Sequence, residues 1–242
     1  TPPPPPPEGE AVSTLKIPDI GVDDAVVQGV GVSDLRKGPG HYPETPMPGQ
    51  LGNAAIAGHR TTYGAPFNRL DELEPGDEII VTTLEGPFRY LVDEQPTDDG
   101  GTSGHVVVSP REVEVLDPTP HPARPAENLA TLTLTTCNPK YSAATRLVVK
   151  ATFSPAEDTS PAPTEPSPIT VAKRTDIDLS GADTPAGPAV WWGVLAAAVG
   201  ALWWLVFHRY HRWTTWIAGL IPFAIVLFVF FWNLERVLPS NY

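Results

Sequence analysis

The chain has 242 residues, a formal net charge of -12, 30 prolines and a single cysteine. The acidic balance argues against a nucleic-acid partner, because such a protein needs basic residues to neutralise phosphates. One cysteine excludes a disulfide framework and a cysteine-rich metal site, and no histidine pair has the spacing of a zinc motif. We therefore expect no metal and no cofactor.

Composition divides the chain into five consecutive segments. Residues 1–11 form a Pro-rich segment, which is typical of a polyproline II spacer. Residues 12–153 are predicted to form the folded domain. Residues 154–188 are rich in Pro, Ser and Thr and have little apolar surface, which predicts a disordered linker. Residues 189–234 are predicted to be a two-helix transmembrane hairpin, and residues 235–242 a short C-terminal tail.

The predicted folded domain contains short apolar runs separated by Gly, Pro and Asp. Its β-branched residues and the spacing of its turns favour an antiparallel barrel or sandwich. The predicted strands are 14–17, 25–30, 54–57, 78–83, 88–94, 106–109, 112–116, 131–137 and 145–153. Residues 84–87 are predicted to be a hairpin turn, and only residues 66–73 resemble a short helix. The pattern therefore predicts an all-β domain with one or two short helices.

Two long apolar runs follow the linker. Residues 190–207 contain no charged side chain, and residues 216–232 are interrupted only by Pro222. Each run is close in length to the hydrocarbon thickness of a bilayer, and tryptophans lie at the ends of the runs. The connecting residues 208–215 contain two arginines and no acidic residue, so the positive-inside rule places this loop in the cytoplasm and the folded domain outside. A buried hairpin of a soluble protein is the alternative.

The single cysteine, Cys137, lies at the end of a predicted strand. Residues 131–137 alternate between threonine and leucine for most of their length, so the alternate threonines and Cys137 would face the same side of the strand. Pro139 cannot continue a central strand. The pattern therefore places a thiol at the mouth of a barrel, where it can meet a substrate. A buried, unreactive cysteine is the alternative interpretation.

Two more residues are candidates for the same site. Arg146 begins the last predicted strand, so a loop after Cys137 would place the two residues side by side across an antiparallel pair. His59 follows an apolar strand and Gly58, which leaves the imidazole at a strand end. Taken alone, an arginine of this kind is usually a solvated charge and a lone histidine is usually structural.

Together these three positions resemble the sortase family. Residues 133–137 (TLTTC) match the TLxTC signature of sortases, Arg146 has the spacing of their active-site arginine, and Gly58-His59 matches their histidine segment. Three longer strings resemble the class E sortases of high-GC Gram-positive bacteria: GPGHYPETPMPGQ (38–50), AGHRTTYGAPFNRLDEL (57–73) and TTCNPKYSAATRLVV (135–149). Asn138 stands where many members of the family have a histidine.

The resemblance implies a sortase-type barrel that acts as a membrane-anchored cysteine transpeptidase. Such an enzyme cleaves a C-terminal LAXTG or LPXTG sorting signal between Thr and Gly and transfers the protein to a cell-wall amine. The implied catalytic roles are nucleophile for Cys137, acid and base for His59, and oxyanion or backbone stabilisation for Arg146. Thr136 and Tyr63 are candidate substrate-binding residues. The implied partners are exported proteins with sorting signals, a lipid-linked peptidoglycan precursor and the bilayer.

The sequence leaves other functions open. A papain-type cysteine peptidase would show a different Cys–His order, and an L,D-transpeptidase would show a Ser-His-Gly-Cys string. A pilus-polymerising sortase usually has a lid with an Asp-Pro-Trp plug, and no such string precedes Thr14. A non-enzymatic, membrane-tethered β-domain would fit the linker and the hairpin.

Overall fold

The computed structural model describes residues 6–97, 100–117, 129–155, 161–166, 187–207 and 213–237. The chain divides into two compact units, one that contains the strands and one that contains the two long helices. Several predictions fall partly outside the described residues: the Pro-rich segment, the linker, the cytoplasmic loop and the C-terminal tail.

The first unit is built from short strands and a few helical turns. The strands are β1 (Ala11–Ile17), β2 (Val22–Gln28), β3 (Gly40–His41), β4 (Gly52–Ala57), β5 (Glu78–Thr83), β6 (Gly86–Val92), β7 (Gln95–Pro96), β8 (Thr102–Ser103), β9 (Val106–Val108), β10 (Ala130–Asn138) and β11 (Thr145–Phe153). The helical elements are a short helix α1 (Val32–Leu35) and 3-10 turns at Pro18–Ile20, Leu70–Glu72 and Val113–Leu116.

The strands form a closed, mixed barrel. Among the described residues, a nine-stranded sheet has the order β10-β4-β3-β2-β1-β5-β6-β11-β9, and β10 also pairs with β11, which closes the sheet. The prediction of a purely antiparallel barrel is wrong, because β4 pairs with β10, and β2 with β3, in parallel. Parallel neighbours require a crossover connection, and the long chain between β4 and β10 supplies one.

Most of the predicted strands are confirmed, with two corrections in the connections. The predicted strand at residues 112–116 is the 3-10 turn Val113–Leu116, whose Leu116 is buried. The predicted helix at residues 66–73 is reduced to the 3-10 turn Leu70–Glu72. The hairpin turn is confirmed, since Thr83 pairs with Gly86. In both corrected segments the apolar residues contact the barrel without forming a long regular element.

Apolar side chains lie on both sides of the barrel wall. The interior is filled by a large cluster that includes Leu15, Ile17, Phe88, Tyr90, Leu132, Leu134, Leu147 and Val149. A smaller cluster lies on the other side of the wall and consists of Leu35, Tyr42, Ala55, Ala57, Val108, Leu116 and Val148. Because side chains alternate along a strand, β4 and β11 contribute to both clusters: Ala54 and Ile56 lie on one side and Ala55 and Ala57 on the other, and Leu147 and Val149 lie opposite to Val148. We call these two sides the core face and the site face.

A short part of the predicted linker belongs to the first unit. Thr164 forms a parallel bridge with Gln50. The Leu51 N–H donates to the Thr164 carbonyl at 2.8 Å, and the Thr164 N–H donates to the Gly49 carbonyl at 3.0 Å. Residues 161–166 therefore contact the barrel instead of extending away from it.

The second unit is a pair of helices, α2 (Gly187–Phe207) and α3 (Trp213–Val237). A Cβ at Gly193 would lie 3.0 Å from the ring of Phe230, and one at Gly200 would lie 3.2 Å from the ring of Phe223. The order of these contacts shows that the helices are antiparallel, and the glycines let them approach closely. Within the described residues, no helix is long and apolar enough to cross a membrane. The prediction of two helices is confirmed, and their membrane crossing is not.

Candidate active site

Strands β10 and β11 bring Cys137 and Arg146 together. In the antiparallel register of the two strands, Cys137 lies directly opposite Arg146. Both residues are almost completely buried, with exposed fractions of 2% and 1%. Residues that are opposite in an antiparallel pair point to the same side of the sheet. The predicted pairing across the two strands is confirmed.

His59 comes level with Cys137 through β4, the other strand that pairs with β10. The parallel pairing of β4 with β10 continues into the next residue, where the Gly58 N–H donates to the Thr135 carbonyl at 3.1 Å. The Thr136 hydroxyl donates to the Gly58 carbonyl at 2.7 Å. His59 is the next residue after Gly58, and the register of β4 with β10, continued by two residues beyond Ala57, places it level with Cys137. The three predicted catalytic residues therefore meet at one end of the wall.

The loop after His59 holds the imidazole in place. A Cβ at Gly58 would lie 2.5 Å from the ring of Phe67, so only glycine fits before the histidine. The Phe67 N–H donates to the His59 carbonyl at 3.0 Å, which folds the loop back on itself. The Thr62 hydroxyl lies 3.0 Å from His59 Nδ1. This contact orients the ring, because a hydrogen bond at one ring nitrogen fixes the role of the other.

The guanidinium of Arg146 is positioned by the loop that precedes β11. Its Nη1 donates to the carbonyls of Ala143 and Thr145, each at 3.1 Å. A guanidinium carries five N–H donors in a fixed geometry and stays charged, so it can hold its position and also offer a donor to a substrate oxygen.

The two predicted substrate-binding residues lie in different environments. Tyr63 is exposed on 46% of its surface, and its ring centroid lies 4.9 Å from that of His59. The Arg36 guanidinium lies 5.4 Å from the centroid of the same tyrosine ring. Thr136 is buried, and its hydroxyl contacts Gly58. Tyr63 is therefore placed at the rim of the site, whereas Thr136 braces the histidine segment. Their contacts with a substrate stay predictions.

Tyr42 is a site residue that the sequence interpretation missed. Its hydroxyl lies 3.1 Å from the Thr135 hydroxyl, on the site face next to the strand end. Burial raises the pKa of Tyr42 to about 12, while the hydrogen bond to Thr135 and the charge of Arg146 lower it. The phenol is therefore neutral at physiological pH and acts as a hydrogen-bonding wall of the site. Tyr42 directly follows the two-residue strand β3, which is too short to give a pattern that would mark it as a site residue.

A side-chain network attaches the 3-10 turn Val113–Leu116 to the site face. The Asn53 amide donates to the carbonyls of Val115 and Asp117 at 3.1 and 3.2 Å. The Thr133 hydroxyl donates to Asn53 Oδ1 at 2.8 Å. The turn therefore forms a second wall over the apolar site face that leads to Cys137.

Arg60 is the second residue that sequence reasoning missed. It follows His59 directly, is 3% exposed, and contacts the carbonyl of Cys137 at 3.1 Å. A charged residue three positions after the end of the apolar strand β4 was the available signal. In the part of the chain that the structure describes, no group of three or more His, Cys, Asp and Glu residues could hold a metal ion.

Comparisons with known proteins show the family of the chain. The family model of the sortase domain matches residues 15–154, which is more than half of the chain. The chain belongs to the sortase family. Sortases are cysteine transpeptidases, and the one cysteine of the chain lies in the site described above.

The relatives include class E sortases, in agreement with the resemblance seen in the sequence. Sortase SrtE1 of Streptomyces coelicolor is 35% identical over 148 residues, which cover 58% of this chain and 40% of SrtE1. The structure of sortase E from Streptomyces avermitilis is 36% identical with a TM-score of 0.52, and the match covers 62% of this chain and 91% of that one.

Another similar solved structure contains a ligand. Sortase E1 from Streptomyces coelicolor, with a tripeptide in the active site, is 31% identical with a TM-score of 0.51. That match covers 61% of this chain and 90% of the solved one. The chain spans two fifths of the full length of SrtE1 and 56% of that of sortase D from Bacillus subtilis.

Proposed function

We propose that this sortase cleaves a C-terminal sorting signal of the LAXTG or LPXTG type between Thr and Gly and transfers the protein to an amine of a cell-wall precursor. The observation that carries the proposal is the strand register at Cys137, which has Arg146 opposite on β11 and His59 level with it beyond β4. A nucleophile, an acid and base, and a fixed cation are the groups that acyl transfer through a thioester needs.

In the first step, Cys137 Sγ attacks the carbonyl carbon of the substrate threonine. The bond from this carbon to the glycine nitrogen breaks, and His59 protonates the departing amine. Arg146 stabilises the negative charge on the carbonyl oxygen or holds the peptide backbone. The product is a thioester between the threonine and the enzyme.

In the second step, an amine attacks the thioester carbon. His59 accepts the proton that the amine loses, the C–S bond breaks, and a new amide forms. The apolar residues of the site face are almost fully buried, so we expect the extended signal to approach at the rim of the site, where Tyr63 is exposed on 46% of its surface.

The proposal is tested by incubating the full chain with LAXTG and LPXTG peptides and hydroxylamine. We expect a threonine hydroxamate from at least one peptide, and its loss after alkylation of Cys137 or in the variant Cys137→Ala. Replacing hydroxylamine with a wall-type amine or with the lysine side chain of a peptide separates cell-wall attachment from pilus polymerisation. Failure with both peptides, or product formation by Cys137→Ala, would contradict the proposal.

We further propose that the two-helix unit attaches the chain to the cell membrane, with the barrel outside the cytosol and residues 208–215 on the cytoplasmic side. The uncharged run at residues 190–207 and the two arginines of the loop support this location. The partners would be exported proteins and a lipid-linked amine at the bilayer surface. The test is carbonate extraction of membranes from cells that express the full chain, with a chain ending at residue 186 as control. Release of the full chain into the soluble fraction would contradict the attachment.

A further inference from the structure

Arg60 is a buried residue with no role in the proposed chemistry. Its Nη1 donates to the Cys137 carbonyl at 3.1 Å and to Asn138 Oδ1 at 2.6 Å. Its Nη2 forms an ion pair with Asp71 Oδ2 at 2.9 Å. The guanidinium therefore contacts the main chain of the nucleophile itself, although 77 positions separate the two residues.

The contacts of Arg60 extend to β11 through Asn138. The Asn138 amide donates to the Thr145 hydroxyl at 3.1 Å, and this hydroxyl donates to the Asn138 carbonyl at 2.9 Å. Thr145 precedes Arg146 in the chain. One network therefore joins the three segments that carry the catalytic residues: Arg60 next to His59, Asn138 next to Cys137, and Thr145 next to Arg146.

The loop that contains Arg60 is also fixed from its own side. The Arg60 carbonyl accepts a hydrogen bond from the Asn68 amide at 2.8 Å. Asp71, which pairs with the guanidinium, is also approached by Lys140 Nζ at 3.9 Å. A guanidinium stays charged, so its burial is tolerated only when acceptors pair with it, and its planar fork serves three acceptors in fixed directions. A lysine carries its donors on one nitrogen and lacks this fork, so we expect it to lose at least one of the three contacts.

We propose that Arg60 is a positioning residue for the transpeptidase: it holds the end of β10 so that the Cys137 sulfur stays aligned with His59 and Arg146. The expected effect of Arg60 on kcat rests on the proposed function, whereas its expected effect on the alkylation of Cys137 does not. A displacement of about 1 Å at a nucleophile can reduce turnover by about 100-fold. The contacts of Arg60 with the Cys137 carbonyl and with Asn138 are placed to prevent such a displacement.

The charged and titratable groups near Cys137 come from every element around it. His59 lies on the β4 side, Arg146 on β11, and Tyr42 on the site face, where its pKa responds to the charges of both Cys137 and Arg146. Arg60 and its partner Asp71 lie beside the strand end, Lys140 Nζ lies 3.9 Å from Asp71, and the pKa of His105 responds to the charges of Asp71 and Arg60. Without the Arg60 charge, the Asp71 carboxylate would keep the more distant Lys140 as a partner, and its less compensated charge would disfavour a thiolate nearby.

The test uses the full chain with the variants Arg60→Lys, which keeps the charge and loses the fork, and Arg60→Met, which loses both. The matched controls are Arg69→Lys and Arg69→Met, since Arg69 lies in the same loop and forms an exposed ion pair with Glu72. Rates are normalised to the amount of titratable thiol. We expect kcat to fall about 100-fold in both Arg60 variants with a change in KM of about threefold or less. The Arg69 variants should stay within about twofold of the wild type.

A second measurement is the rate of alkylation of Cys137 by iodoacetamide across the pH range, which needs no peptide substrate. We expect the midpoint of this profile to rise by about half a pH unit or more in Arg60→Met, and by less in Arg60→Lys. If the wild type transfers no peptide, the proposed function fails, and the alkylation profile alone decides the role of Arg60.

A wild-type kcat together with a wild-type alkylation profile in both Arg60 variants would overturn the inference. If the Arg60 variants do not fold, Asn138→Ala replaces them, because it removes the acceptor at 2.6 Å and leaves the ion pair with Asp71. We expect this variant to lower kcat about tenfold with little change in KM. Unchanged turnover in Asn138→Ala would then overturn it.

Discussion

The two faces of β10 show how one strand serves both the fold and the chemistry. On the core face, Leu132 and Leu134 pack among apolar side chains of the barrel interior. On the site face, Thr133, Thr135 and Cys137 are as deeply buried, but their neighbours are polar groups from other elements. Burial is therefore common to both faces. What separates them is whether a side chain ends in carbon atoms or in atoms that can react or form hydrogen bonds.

Two buried histidines also differ in role, and each lies on a different face of the wall. His41 lies opposite Ile56 in the register of β3 and β4, so it shares the core face. Its Nδ1 lies 2.9 Å from Gln28 Oε1, and its Nε2 donates to the Pro46 carbonyl at 2.9 Å. Burial lowers the pKa of His41 to about 4, despite the opposing effect of this carbonyl. His41 is thus a neutral brace, whereas His59 stands beside the nucleophile.

The sharpest test of the contrast is removal of the reacting groups. We expect Cys137→Ala to lower the transpeptidation rate by on the order of 10⁴-fold or more, and His59→Ala by about 10² to 10⁴-fold, because each takes part in bond making or proton transfer. The measurement is hydroxamate formation per folded protein. Transpeptidation at the wild-type rate by Cys137→Ala would show that the site face, like the core face, supplies no reacting group.

On the core face, truncation should affect stability and leave the chemistry intact. Leu134→Ala should lower the free energy of unfolding by about 3–4 kcal/mol, because it removes a fully buried side chain and leaves a cavity. Urea unfolding of the barrel should be followed by circular dichroism, since all seven tryptophans lie in the two-helix unit. A large loss of turnover per folded molecule, with little loss of stability, would contradict the assignment of this face.

Because burial lowers the pKa of His41, we expect the free energy of unfolding to depend on pH. Its pKa is lower in the folded state than in the unfolded chain, so the unfolded chain binds the proton first. The stabilising contribution is complete above about pH 6.5 and is lost as the pH falls toward 4, by on the order of 2–3 kcal/mol. Urea unfolding at several pH values should show this slope, and it should be shallower in His41→Gln. An equal slope in both proteins would assign the acid sensitivity to other groups.

The smallest expected effect comes from the phenol of Tyr42. Tyr42→Phe removes its hydrogen bond to Thr135 and keeps the ring, so the free energy of unfolding should fall by about 1 kcal/mol. Thr135→Val is the matched change on the other side of the bond. A double-mutant cycle measures the coupling, and additive effects of the two changes would show that the contact contributes nothing to stability.

Local patterns were enough to predict most of the longer strands and the face of the thiol, but not the two-residue strands β3, β7 and β8. The alternation of threonine and leucine before Cys137 depends only on the geometry of a strand, and the spacing to Arg146 depends only on one loop. Patterns failed where the partner was distant. Residues 113–116 have the composition of a strand, but their position over the site face is set by Asn53, which no local pattern connects with them.

A thiol at a strand end, an arginine one loop away and a histidine after an apolar strand could all be predicted from the sequence, because each feature involves near neighbours in the chain. The folded structure was needed to show that β4 lies parallel to β10, which brings His59 level with Cys137. It also decided that Arg60 reaches the carbonyl of the nucleophile. Both results depend on the closure of the barrel, which joins segments through main-chain pairing that leaves no periodic trace in the side chains.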